Sequence, residues 1–175
     1  MKIFFSFLLS LFLFSFATSN LFAQYRKLTV VLLRHAEKDV SEDADSANPD
    51  LSAAGKERAE KLPDVINKYQ PDAIFSTDTI RTRATVRPLA RKINRITLIY
   101  DERNLSRISD LILSGKYKRI VVVGHYDSTP ALANLLIKQD KYKPLGEAEF
   151  DKIWIIKIRR YKRKPNKVRD KVIQY

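Results

Sequence analysis

Two stretches of the chain carry no polar break. Leu28 to Leu33 is apolar or β-branched throughout, and Ile120 to Val123 is wholly apolar. Runs of this kind suit strands buried on both faces rather than strands with one wet side. Between them the apolar positions follow a helical period. Ala59, Leu62, Val65, Ile66 and Tyr69 mark a helix over residues 53–69, with Ser52 as its N-cap. Pro63 lies inside it and predicts a kink or break there. Ala73 to Ser76 reads as a short strand, and Thr77 to Thr82 leads into a helix ending near Ile93. Ile96 to Tyr100 is the next strand. Asn104 to Ser114 is helical and stops at Gly115. Thr129 to Ile137 is a helix that tolerates Pro130 in its first turn. Phe150 to Ile158 alternates as an antiparallel strand would, and Val168 to Ile173 pairs with it through a turn near Pro165 and Asn166. Strands alternating with helices predict an α/β fold, a three-layer α/β/α sandwich around a mostly parallel sheet. One domain over residues 24–175 accommodates all of it.

The N-terminus lies outside this pattern. Ile3 to Ala17 is a run of Phe, Leu and Ile broken only by serines, preceded by Lys2 and followed by small residues up to Ala23. It reads as a signal peptide over residues 1–23, hence a periplasmic or secreted protein. An uncleaved membrane anchor is the alternative, although the run is shorter than the roughly 20 residues a spanning helix needs. The chain has no cysteine, which excludes disulfides, thiol nucleophiles and cysteine metal sites.

Net charge is +13, concentrated at the end: Lys157 to Tyr175 holds nine Lys or Arg against one acid, Asp170. A solvated hairpin with basic outer faces accounts for this. The sharper reading is weak contact with an anionic membrane surface, and no nucleic-acid motif is present. The loop Asp39 to Asp50 carries five acids without the spacing of a calcium loop, so it reads as a solvated rim.

The chemistry gathers where the apolar runs end. Leu28–Leu33 is followed by Arg34, His35, Glu37 and Lys38, and Ile120–Val123 by Gly124 and His125. These are the chain's two histidines. In a parallel sheet both tips face one side, where ligands of open α/β sheets collect. Arginine beside histidine suits a phosphoryl group: guanidinium offers a planar fork of donors, and imidazole can act as nucleophile or proton carrier. Arg81 opens the helix after the strand Ala73–Ser76, at the same edge. Arg81 and Arg83 point to different faces of that helix, so one reaches the pocket and the other stays at the surface. Gly124 would let backbone pass close to a ligand, and the helix near Thr129 would aim amides at an anion.

Four motifs in order, RHAEK, LSAAGKERA, STDTIRTRAT and VVVGH, resemble those of the histidine phosphatase superfamily, which includes the phosphoglycerate mutases. Ala36 replaces the glycine of the Arg-His-Gly signature, Arg58 stands where glutamine is usual, and one extra residue separates Ser76 from Arg81. The resemblance implies a phosphoglycerate mutase-like fold and a small phosphorylated substrate. It implies metal-independent phosphoryl transfer without a cofactor: His35 attacks phosphorus, while Arg34, Arg81 and His125 hold the oxygens. Lys38 is a further candidate for substrate contact. Asp101, Glu102 and Asp127 are the candidates for the general acid, with Glu102 favoured. Ala36 leaves a rival open, a phosphate-binding module of the same fold without turnover.

Overall fold

The computed structural model describes residues 25–161 and 164–175. The expected signal peptide lies outside them. Six strands form one sheet: β1 (Tyr25–Arg34), β2 (Ala73–Ser76), β3 (Thr97–Ile99), β4 (Arg119–Gly124), β5 (Lys152–Tyr161) and β6 (Lys167–Gln174). Their order across the sheet is β3-β2-β4-β1-β5-β6. The first four run parallel, and β5 and β6 are antiparallel to their neighbours. The helices are α1 (Ala53–Ile66), α2 (Ile80–Lys92), α3 (Leu105–Ser114) and α4 (Ser128–Ile137).

The unbroken apolar runs take central places because a strand covered by helices on both faces needs apolar side chains at every position. Leu28, Val30 and Leu32 of β1 pack with Ile108 and Ile112 of α3 and with Leu132 and Leu136 of α4. Val31 and Leu33 point the other way, onto Leu62 and Ile66 of α1 and Val86 and Leu89 of α2. The three layers are those the alternation predicts.

Two local expectations need correction. Helix α1 is not broken at Pro63: it runs on to Ile66 and only then tightens into a 3-10 turn over Asn67–Tyr69. A proline removes one ladder donor, and burial of Leu62, Pro63 and Ile66 against the sheet outweighs that loss. The edge strand β3 is shorter than expected, three residues rather than five. Ser52 and Gly115 end their helices as read from the sequence, and Asn104, read as the first helical residue, is the N-cap of α3.

Register fixes the functional edge. Leu33 pairs with Val123 and Arg34 with Gly124, while Ser76 pairs with Val123 and with Ile99. The ladder continues one step past the strands, through His35 N–H to Gly124 O (3.0 Å), Thr77 N–H to Val123 O (3.3 Å) and Tyr100 N–H to Ser76 O (3.0 Å). His35, Thr77, Glu102 and His125 therefore leave the sheet side by side.

Candidate active site

At this edge lies a cleft of about 340 Å³ lined by Arg34, His35, Lys38, Arg81, Glu102, His125, Tyr126 and Asp127. The two imidazole rings lie edge-on, centroids 5.3 Å apart. Of the site residues read from the sequence, Arg34, His35, Arg81, Glu102, His125 and Asp127 line it, with Lys38 at its exposed rim; Asp101 does not, and pairs with Arg103 at 3.0 Å instead. Arg83 does not: it faces solvent and pairs with Asp78 at 3.1 Å.

His35 is buried, and its Nδ1 lies 2.7 Å from the carbonyl oxygen of Ala36. A carbonyl only accepts, so Nδ1 carries the proton and Nε2 keeps its lone pair. Burial pushes the pKa of His35 down to about 3; the Ala36 bond opposes this, and His125, Arg81 and Arg34 add to it. The ring is neutral at any ordinary pH.

Ala36, found where the signature has glycine, is itself fully buried. Its methyl group sits in a small cluster with Leu51, Ala59 and Ala84. Its N–H donates to Thr85 Oγ1 (2.9 Å), and that hydroxyl donates to Arg81 O (2.7 Å). The substitution leaves the tautomer-fixing carbonyl in place. The glycine that the loop does need is Gly55 of α1, where a Cβ would stand 2.2 Å from Glu37 O. Arg58 grips the same loop, forking onto the Glu37 carboxylate at 2.7–2.9 Å.

His125 is held from three sides. Arg81 Nη2 approaches Nδ1 (3.4 Å), while Nε2 faces Thr77 Oγ1 (2.9 Å) and Glu102 Oε2 (3.1 Å). A guanidinium only donates, so Nδ1 accepts and Nε2 carries the proton. Burial, then the charge of Arg81, pushes its pKa down to about 4. His125 is therefore neutral, and its contact with Glu102 is a hydrogen bond rather than an ion pair. Burial raises the pKa of Glu102, the charge of Asp127 adds to this, and Arg81 opposes it. Asp127 is occupied as the N-cap of α4, accepting the Ser128 N–H at 2.7 Å.

The two arginines are positioned differently. Arg34 Nη1 donates to the carbonyls of Gly146 (2.8 Å), Glu147 (3.1 Å) and Glu149 (3.1 Å), and its Cζ lies 4.0 Å over the Phe150 ring. Arg81 is anchored by its place in the first turn of α2. Both Nε atoms are buried without a hydrogen-bond partner. A buried guanidinium N–H without an acceptor costs stability.

Two sequence expectations fail here. Gly124 makes room for protein rather than ligand, since a Cβ there would lie 2.7 Å from the Tyr100 hydroxyl and 3.0 Å from the Ser128 and Thr129 hydroxyls. The first amides of α4 are already used, Ser128 N–H by Asp127 and Thr129 N–H by His125 O (3.2 Å). Thr77, Thr85 and Phe150 were not anticipated as parts of the site. The hydroxyl-rich STDTIRTRAT pointed weakly to the threonines, and nothing pointed to Phe150. Among the described residues no cluster of three His, Asp or Glu could hold a metal ion.

Residues 30–105 match the family described as histidine phosphatase superfamily (branch 1). No curated protein gives a match. Solved structures share the fold at low identity. A mycobacterial glucosyl-3-phosphoglycerate phosphatase complexed with VO3 superposes with a TM-score of 0.63 at 17% identity, over 85% of this chain and 99% of that one. A candidate phosphohistidine phosphatase, SixA, from Agrobacterium tumefaciens gives 0.60 at 20%, over 84% and 98%. A candidate alpha-ribazole-5'-P phosphatase from Escherichia coli gives 0.61 at 15%, over 85% and 96%.

Proposed function

We propose that this chain, a member of the histidine phosphatase superfamily, hydrolyses a small phosphate ester or phosphoramidate through a phosphohistidine on His35, without a metal ion. The observation that carries this reading is the tautomer of His35: with Nδ1–H on the Ala36 carbonyl, Nε2 is left as the nucleophilic nitrogen.

Arg34 and Arg81 supply donors for the phosphoryl oxygens, His125 stands beside them, and Lys38 adds charge at the rim. Their positive charge takes the part that a metal plays elsewhere, because phosphoryl transfer depends mainly on positioning and electrostatic stabilisation. Nε2 attacks phosphorus as the bond from phosphorus to the leaving oxygen or nitrogen breaks, and Glu102 gives its proton to the leaving group. Water then attacks the phosphohistidine. The bond between phosphorus and Nε2 breaks, Glu102 takes the water proton, and inorganic phosphate leaves. The burial that raises the pKa of Glu102 favours its protonated form. The solved phosphatases that share the fold support hydrolysis, and the apolar leader supports export.

The test is hydrolysis of p-nitrophenyl phosphate by the purified protein in EDTA, beside His35→Ala. Turnover that persists in EDTA and vanishes in the variant is expected. Equal rates in the two proteins overturn the mechanism, and a rate that needs added metal overturns its metal independence. Phosphate binding without turnover identifies a binding module instead.

A further inference from the structure

The end of the sheet opposite the active site carries a larger groove of about 810 Å³. Its lining includes Arg26, Lys27, Lys118, Arg119 and Arg160 beside Tyr117, and no Asp or Glu. Arg26 of β1 and Arg160 of β5 are direct cross-strand partners. Like charges placed opposite each other destabilise a sheet. Both guanidiniums also close on Gly115, the left-handed cap of α3 (φ 82°), where a Cβ would lie 2.8 Å from Arg160 Nη1 and 3.9 Å from Arg26 Nη1. Among the described residues neither arginine forms an ion pair with a carboxylate. The C-terminus of α3 offers only about half a negative charge, too little for the cations gathered there. Arg119 leans outwards onto Asp72 and the Gln70 carbonyl.

We infer that this basic pole docks on a membrane surface rich in anionic lipid headgroups. Charge complementarity is the first reason. A groove more than twice the volume of the catalytic cleft, and open to solvent, suits an extended negative surface better than one small anion. Chain continuity is the second. Arg26 follows the apolar run Ile3–Ala17 by nine residues, so in the uncleaved chain a membrane that receives that run lies within reach of this pole. Clustered Lys and Arg beside an apolar segment are attracted to anionic lipid. Half-buried Tyr117 stands at the rim, as aromatics do at membrane interfaces. Docked this way, the catalytic cleft at the far edge of the sheet faces away from the lipid. The pole is built jointly by β1, β4, β5 and the segment before β4, with Arg160 as the contribution of the C-terminal segment.

The full chain is mixed with vesicles of phosphatidylcholine alone or with phosphatidylglycerol added, and bound protein is sedimented. The leader contributes to both arms, so the difference between them reports the basic pole. Arg160→Glu sets a carboxylate opposite Arg26. It should raise Tm by roughly one to a few degrees and cut the phosphatidylglycerol-dependent binding at least about tenfold. Arg87→Glu on the exposed face of α2 makes the same change in net charge elsewhere and should alter binding less than about twofold. Equal loss in both variants overturns docking at this pole in favour of a bulk-charge effect. Indifference to phosphatidylglycerol also overturns it, as does displacement by millimolar inorganic phosphate, which would identify a small-anion site. Duplex DNA competing as well as vesicles would assign the groove to nucleic acid instead.

Discussion

Glu102 Oε2 lies 3.1 Å from His125 Nε2, which brings the β3–α3 loop to the second histidine and leaves Asp127 to cap a helix. Of the three candidate carboxylates, Glu102 and Asp127 line the cleft, and the one that meets the second histidine is Glu102. Its pKa is raised by burial and by Asp127.

If Glu102 protonates the leaving group, its removal should matter in proportion to how poor that group is. Glu102→Gln should lower kcat/KM on alkyl phosphates by about 10²–10³ and on p-nitrophenyl phosphate by less than about tenfold. Equal losses on the two substrates would exclude the role. The alkaline decline of kcat/KM in the wild type should follow the ionisation of Glu102 and disappear in the variant.

Phe150 supports Arg34 from below, with the guanidinium 4.0 Å over its ring, and stands 6.0 Å from the His35 ring. Phe150→Ala should raise KM several-fold, in line with about 0.5–2 kcal/mol for such a contact. It should change kcat by less than about threefold if Arg34 serves mainly to bind the phosphoryl group in ground state and transition state alike. A fall in kcat at constant KM would show that Phe150 acts through His35 instead.

Gly55→Ala would force a methyl group against Glu37 O, 2.2 Å away, and backbone cannot step aside as a flexible side chain can. A destabilisation of about 3 kcal/mol, at the upper end for overpacking, is expected. This corresponds to a fall in Tm of roughly 6–12 °C by calorimetry. An unchanged Tm would mean that the RHAEK loop is not pinned by α1.

Acid should unfold the protein through its histidines. Both have pKa values lowered on folding, from 6.5 to about 3 in His35 and about 4 in His125, by burial first. Below pH 6.5 the unfolded chain binds protons that the folded one refuses. Stability is therefore full above about pH 6.5 and lost progressively as pH falls towards 3. Urea denaturation across this range should show it, and His125→Gln should flatten the slope. A wild-type midpoint constant from pH 7 to 4 would contradict the burial of both rings as neutral groups.

The legible parts of the fold are those governed by neighbours in sequence. The runs VVLL and IVVV declare buried strands because every one of their side chains must leave water. Ser52 and Gly115 declare helix ends because a cap acts within a turn. Pro63 misleads for the same reason: its local cost is visible in sequence, and the burial around it is not.

The sequence by itself determined that two histidines and an arginine-bearing helix start would stand at strand tips, and that His35 was the nucleophile candidate. Only the tertiary structure decided which nitrogen of His35 is free, that Glu102 rather than Asp127 meets His125, and that carbonyls of residues 146–149 hold Arg34. It also decided that Gly124 yields to the Tyr100 hydroxyl and that Arg26 and Arg160 face each other. Burial and capping are short-range consequences of residue type. A hydrogen bond or a charge pair between residues a hundred positions apart depends on strand register and loop path, which the whole chain sets together.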